Sequence, residues 1–455
     1  MKVALVFSPL YGVDLPPLGL AYVASKLIED GHQVKVFCLN SSLYRKSQDK
    51  KMLWDWSNSQ SWLSYSGIKH NFEIDDISDN WVSEILEFDP QAVGFSVNTY
   101  SIVLSDLLAN KIKGRRRDIF IIFGGPFCSE LRPELMNRNV DIYVKGEGEI
   151  TASMIVHRLE AKEPSDKIKG IVINKNGKFE DTGSNDSFAT ISSLPFPELG
   201  LFGFDNYDNK RDIPILFSRG CKYYCRFCFD RPIWGNYRMR KAENIVEEIK
   251  KHKQLFQRDS FKCNDLLVNG DLKELERLAD LIINEKLAIS WGGMARARAD
   301  MTEEFLAKLK KSGCAYLTFG VESGSNKILK LMGKPSAKET AIAIKKTHDS
   351  GIKVNTLWMV GHPGESFLDL IKTVIFLFRN RKAIDEFVNV SICYIPRHSL
   401  LDLQSKELGI RYDQFGNWAI EKNGNTIKSR KTRAIVLKFF AKAFKLYTGG
   451  IRSDY

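Results

Sequence analysis

Cys221, Cys225 and Cys228 stand in the run SRGCKYYCRFCFD, three thiols with the spacing CxxxCxxC. The segment before them, IPILFS (213–218), is a short apolar run that reads as a strand. A compact loop at a strand end can wrap three thiolates around one cubic iron–sulfur cluster. Three ligands instead of four leave one iron open to bind something else. The alternative is a zinc knuckle, yet structural zinc takes four ligands, usually in paired CxxC units. The nearest further cysteine, Cys263, lies on a predicted strand. Cys38, Cys128, Cys314 and Cys393 sit in or beside apolar runs and read as packing residues. Eight cysteines in 455 residues are too few for a disulfide scaffold.

A second set of candidates lies in the N-terminal half, in loops that follow apolar runs: SVNTYS (96–101), GGPFC (124–128) and KGEGE (145–149). Ser96, Asn98 and Thr99, then Gly124, Gly125 and Pro126, then Gly146, Glu147 and Gly148 are small or polar, and small residues let a backbone approach a ligand closely. The elements that must position them alternate. VALVFS (3–8) reads as a strand, LGLAYVASKLIED (18–30) as a helix ending at Gly31, and further strands follow in QVKVFCL, AVGFSV, IFIIFGG and DIYVKGEGE. Strand and helix in alternation predict an α/β, doubly wound parallel sheet of Rossmann-like type over 1–173, with its ligand crevice beyond the carboxyl ends of the strands. Residues 174–212, rich in Asn, Asp, Gly, Ser and Pro, read as a linker with a short meander. From 213 to 396 six strand-then-helix repeats predict a partial (β/α)6 TIM-like barrel, whose chemistry belongs at the carboxyl ends of its strands. A small helical C-terminal segment, 397–455, completes the chain.

The cysteine run resembles that of the radical S-adenosylmethionine (SAM) family, and the resemblance extends over 213–396. It implies a [4Fe–4S] cluster on the three cysteines, with SAM on the open iron and Phe227 beside the adenine. CNDLLVNG ends the second barrel strand and makes Asn264, Asp265 and Asn269 candidate contacts to the SAM amino group. Arg296 follows the third strand. GVESGS ends the fourth, giving Glu322 as the ribose contact with Ser323 beside it. MVGHPGES ends the fifth, where Gly361 is expected to allow close approach to the adenine and Glu365 to order the loop. The N-terminal half resembles the cobalamin-binding domain attached to one large branch of that family, through PPLGLAYVASKLIEDGHQV, GFSVNTYS, GGPFCSELRPELM and DIYVKGEGE. Leu18 and Gly19 thereby join the strand-end loops as candidate cobalamin contacts. A DxHxxG signature is missing: in Asp30-Gly31-His32 the last Gly is replaced by Lys35, and His32 reads as a turn residue. The resemblance then implies cobalamin without a protein histidine on its lower face. YIPRHSLLD departs from the Pro-Gly-Thr of relatives and makes Arg397 and His398 candidates to face substrate.

The reaction implied is radical methylation of an unactivated carbon in a small molecule or peptide, with one SAM cleaved to a radical, the methyl group delivered from methylcobalamin, and electrons from a flavodoxin or ferredoxin. The rivals are a non-methylating rearrangement or cyclisation on the same cofactors, and a non-enzymatic cobalamin or cluster sensor. The 67 Lys plus Arg exceed the 55 Asp plus Glu by twelve. Most of that excess lies from Lys428 onward, in a tail with Lys428, Arg430, Lys431, Arg433, Lys438, Lys442, Lys445 and Arg452 against Asp454 alone. Within SRKTRAIVLKFFAKAFKLY, Ile435, Val436, Phe439, Phe440, Ala443 and Leu446 or Tyr447 fall near one helical face. That face is expected to dock on the barrel; the rival is an anionic membrane, and nucleic acid is disfavoured. No apolar stretch is long enough to span a bilayer and the first residues make no signal peptide, so the expected compartment is the cytoplasm.

Overall fold

In the computed structural model, which describes residues 1–129, 135–184, 190–228, 230–396, 399–413, 418–420 and 424–446, the chain divides into two units, one reaching Lys210 and the other starting at Arg211. In the first unit the apolar runs become β1 (Lys2–Phe7), β2 (Gln33–Cys38), β3 (Ala92–Ser96), β4 (Phe120–Gly124) and β5 (Ile142–Val144), all parallel. Val, Ile and Phe dominate because helices such as α1 (Leu18–Glu29) and α2 (Glu149–Glu160) cover the sheet, and Val3 to Phe7 are all buried. The order β2-β1-β3-β4-β5 reverses winding between β1 and β3. That switch point is where an open α/β sheet leaves a crevice. The meander pairs β6 (Ile171–Lys175) with β7 (Lys178–Asp181) and extends the sheet antiparallel beyond β5. Asn176-Gly177, both at positive φ, is the two-residue turn such a hairpin demands.

The second unit holds six parallel strands in sequential order, β8 (Asp212–Ile215), β9 (Ser260–Cys263), β10 (Ser290–Ala295), β11 (Cys314–Glu322), β12 (Lys353–Val360) and β13 (Glu386–Ile392), an open, partial (β/α)6 barrel. The helices α3 (Ala242–Phe256), α4 (Leu272–Asn284), α5 (Glu303–Lys311), α6 (Ala337–Asp349) and α7 (Phe367–Asn380) alternate with these strands. Side-chain caps start four of these five sharply. Asp271 accepts from the N–H groups of Lys273 and Glu274, while Ser336 with Glu339 and Ser366 with Asp369 complete capping boxes. The Asp271 and Ser366 caps close the loops that leave β9 and β12, and so fix the length of two loops that carry the site.

The C-terminal helix α8 (Ile427–Ala443) does pack on β12, β13 and α7, but by another face than its apolar periodicity suggests. Arg430, Leu437 and Ala441 are buried, whereas Ile435 and Phe439 are exposed. The physical reason is that the Arg430 stem fills the space over Gly361 while its guanidinium donates to the carbonyls of Trp418 and Asn425. A nominally charged residue thereby becomes a deep contact of the helix. Arg397, His398 and the tail from Tyr447 lie outside the described residues.

Candidate active site

The cysteine loop is built from its neck. Asp265, buried just past β9, accepts from the N–H of Phe217 at 3.0 Å and the hydroxyl of Ser218 at 2.6 Å, and also from the Ser218 N–H. Burial pushes its carboxyl up to about 6 against these hydrogen bonds, which favour the ionised form. Ser218-Arg219 then pairs antiparallel with Arg238-Met239. At Gly220, with φ +72°, an added Cβ would lie 2.5 Å from the Asn236 carbonyl oxygen, so only glycine lets the neck close. The three cysteines are partly exposed within this loop. The Cys228 N–H bonds the Cys225 carbonyl at 3.0 Å, and the Arg226 N–H bonds the Met332 carbonyl at 3.1 Å. Arg296 stands over it, its Nη1 3.5 Å from Cys225 Sγ, its guanidinium carbon 3.8 Å from the Tyr223 ring centre, and its Nη2 on the Gly333 carbonyl.

Among the described residues these three sulfurs are not all within 4.8 Å of one another, the closeness expected around one bare ion. A cubic cluster, which takes one thiolate per iron, suits that donor set, and Cys221, Cys225 and Cys228 would hold it. Burial pushes the Cys221 and Cys228 thiols up, so metal binding would displace protons from them.

Around this loop the strand ends bring the other predicted residues, in different states of commitment. Asn264 is exposed, its backbone N–H held on the Ile215 carbonyl at 2.9 Å. Asn269 is buried and holds the Arg296 backbone from both sides, accepting from its N–H at 2.9 Å and donating to its carbonyl at 2.8 Å. Asp265 and Asn269 thus serve the frame of the site. Glu322 is held at φ +64°, a conformation a non-glycine residue adopts only under constraint, beside a register shift in the β11–β12 pairing, and its carboxylate pairs with Lys334 at 3.0 Å. Ser323 is spent on Thr373 and on the Ser325 N–H. Phe227 packs against a cluster that includes Cys393, Leu401 and Trp418.

At the fifth-strand loop Gly361 and Glu365 meet groups that the sequence did not single out. Gly361, at φ +81°, directs its missing Cβ at Arg430, not at an open pocket: a Cβ would lie 2.3 Å from Arg430 Cγ. Asn425 donates to the carbonyls of Gly361 and His362 at 3.0 and 3.2 Å. Glu365, almost fully buried, accepts from the Gly361 N–H and from Arg433 Nη1 at 2.9 Å. His362 is buried, its Nδ1 2.7 Å from the Pro363 carbonyl, and burial lowers its pKa to about 4, so the ring is neutral at pH 7. The signal that could have found Arg430 and Arg433 is their place in the first turns of a capped helix, where positive charge is unfavourable unless something else holds it.

In the N-terminal unit the expected loops all leave carboxyl strand ends. Asn98 accepts from the N–H groups of Tyr100 and Ser101 and donates to the Leu10 carbonyl at 3.0 Å, tying the loop after β3 to the loop after β1 across the switch point. Ser96 and Gly124 end paired strands, and Thr99 and Pro126 are exposed beside them. At Gly125 an added Cβ would meet the Val97 backbone at 2.7 Å, while at Gly19 and Gly146 it would meet nothing within 4 Å. Gly146 receives support from Ser129 Oγ on its N–H. Glu147 is half-buried, Gly148 faces Val23 and Leu18 belongs to the core. His32 is buried in the turn between α1 and β2, at the opposite end of the sheet from these loops.

Two family models match the chain: the radical SAM superfamily over residues 215–377 and the B12 binding domain over residues 67–156. The chain is 28% identical over 396 residues to an uncharacterized methyltransferase of Pyrococcus horikoshii, covering 83% of this chain and 77% of that one. It is 24% identical over 311 residues to the anaerobic magnesium-protoporphyrin IX monomethyl ester cyclase of Rubrivivax gelatinosus, covering 66% and 56%. The solved structure of the radical SAM methyltransferase TsrM from Kitasatospora setae, with tryptophan and a SAM analogue bound, shares the fold at a TM-score of 0.72 and 14% identity, over 96% of this chain and 88% of that one. A [4Fe–4S] cluster, SAM and cobalamin are the cofactors these two domains take.

Proposed function

We propose that this chain, a radical SAM enzyme with an N-terminal B12-binding domain, methylates a carbon that carries no activating group in a small organic molecule or peptide. The observation that supports it most is the closed cysteine loop with three thiols, following in one chain a parallel sheet whose strand-end loops surround a switch point. When bound, the cluster and SAM supply a radical able to remove hydrogen from carbon, and cobalamin supplies the methyl group. The chain's own work is placement. Asp265 and Gly220 set the loop that presents the thiols, Asn269 fixes Arg296 beside them, and Glu322 and the Gly361–Glu365 loop shape the cradle for the nucleoside. Methyltransferases occur among the relatives, and TsrM was solved with tryptophan, a small molecule; a cyclase among the relatives keeps rearrangement as the competing outcome. The same reading places the enzyme in the cytoplasm with a flavodoxin- or ferredoxin-type electron donor.

The test is anaerobic reconstitution with iron, sulfide and cobalamin, followed by incubation with methyl-deuterated SAM, a low-potential reductant and a metabolite or peptide extract. The expected result is 5′-deoxyadenosine release together with a product that carries the labelled methyl group, both lost when Cys221, Cys225 and Cys228 are replaced by alanine. Cleavage of SAM with a product that gains no labelled carbon would overturn methylation in favour of rearrangement, and a full cluster in the triple variant would overturn the ligand assignment.

A further inference from the structure

Because α8 docks through Arg430, Leu437 and Ala441, its apolar residues Ile435 and Phe439 face outward, 68% and 65% exposed. Beside it α7 exposes Phe367, Leu368, Ile371, Ile375 and Phe378. The two helices run together. Both leave from the fifth-strand loop end, where Arg433 of α8 reaches Glu365, and at their far ends the rings of Phe378 and Phe444 lie 5.3 Å apart. Seven large apolar side chains therefore share one surface, more than scattered exposure explains. Its charge is one-sided: of the six basic residues of α8 Arg430 is buried and Arg433 pairs with Glu365, but Lys428, Lys431 and Lys442 are exposed along it, α8 has no acidic residue, and Lys372 and Arg379 are exposed on α7.

We propose that α7 and α8 form a docking surface for an anionic lipid bilayer. At 17 residues, α8 is about 26 Å long and would lie in the interfacial plane, Ile435 and Phe439 entering the acyl boundary while the lysines meet lipid headgroups. Among the described residues no helix is long and apolar enough to cross a membrane, so the contact is peripheral. A second copy of the chain fits less well, because a self-complementary contact through this face would set one basic α8 against another. The inference is independent of the reaction.

The experiment is co-sedimentation of the full-length, reconstituted protein with vesicles of phosphatidylcholine alone or mixed with phosphatidylglycerol. The expected result is pelleting with the anionic vesicles that falls at 0.5 M salt and drops at least tenfold in Ile435→Ser/Phe439→Ser and in Lys431→Glu/Lys442→Glu. The exposed Ile342→Ser on α6 should pellet as the wild type does. Unchanged thermal unfolding shows that the variants are folded, and if the serine pair unfolds early the charge pair decides. Failure of the wild type to pellet, equal pelleting of folded variants, or a dimer in light scattering that the same substitutions dissolve would each overturn the proposal, the last by giving the surface to a second copy.

Discussion

Replacing Gly361 by alanine should strain the fifth-strand loop in two separable ways. The first is conformational: at φ +81° an L side chain costs about 1–2 kcal/mol. The second is steric, since the new Cβ would lie 2.3 Å from Arg430 Cγ and 2.4 Å from its Cδ. Arg430 cannot easily retreat. Its guanidinium carbon sits 3.9 Å from the Trp418 ring centre, its Nη2 donates to the Trp418 carbonyl at 2.7 Å, and only 1% of the residue is exposed. Forcing volume into such packing costs roughly 1–3 kcal/mol. The sum, roughly 2–5 kcal/mol, should lower the melting temperature of a unit this size by roughly 4–20 °C. Because Asn425 and Glu365 are bonded to the same loop, its displacement should also weaken SAM binding. Differential scanning fluorimetry and equilibrium dialysis with SAM measure both. A double-mutant cycle with Arg430→Ala separates the terms: removing the arginine relieves the clash but not the φ cost, so the two changes should be less harmful together than their sum. Strict additivity, or an alanine variant with wild-type melting and SAM affinity, would refute the reasoning.

The cob(II)alamin form should show no nitrogen superhyperfine splitting from a protein ligand in electron paramagnetic resonance. His32 precedes β2, and the six residues of that strand span roughly 20 Å between it and the carboxyl-end loops; a clear nitrogen triplet abolished by His32→Ala would refute this. Asp106 gives a pH signature. Burial raises its carboxyl to about 6 from 3.8, with Asn137 only partly offsetting this. The folded state then keeps a proton that the unfolded chain releases, so the contribution is full below about pH 4 and is lost as pH rises through 6, roughly 3 kcal/mol at most. Asp106→Asn should leave melting unchanged at pH 4 and raise it at pH 7, and equal shifts at both pH values would contradict the assignment.

The frame was legible because its signals are local. A strand run followed by CxxxCxxC, or by small residues, can be read within ten residues, and it put the loops at the carboxyl strand ends where they are found. Which polar groups at those ends remain available was not legible. Asp265, Asn269 and Ser323 occupy positions from which a ligand could be touched, yet their hydrogen bonds go to Ser218, Arg296 and Thr373. A carboxylate that builds a loop and one that contacts a ligand leave the same trace in sequence. The C-terminal contribution was hidden by separation: Asn425 lies 64 residues from Gly361, and Arg433 lies 68 from Glu365. In a tail of mostly positive charge, nothing local in the sequence distinguishes the two arginines from the exposed lysines beside them.

That separation also decides how the tail can be studied. Deleting residues 428–455 would remove the exposed Ile435, Phe439 and lysines, but equally Arg430 over Gly361 and Arg433 on Glu365. Loss of membrane contact and loss of the fifth-strand loop would then arrive together. Glu365 is almost fully buried, and a carboxylate stripped of its guanidinium partner there is strongly destabilising, by about 3–5 kcal/mol for a buried pair broken on one side. A truncated protein that neither sediments with vesicles nor cleaves SAM is thus what both a membrane-docking helix and a purely structural one predict. Only substitutions confined to the outward face, with Arg430 and Arg433 retained, make the two readings differ, because they leave the loop's hydrogen bonds in place while changing what α8 presents to its surroundings.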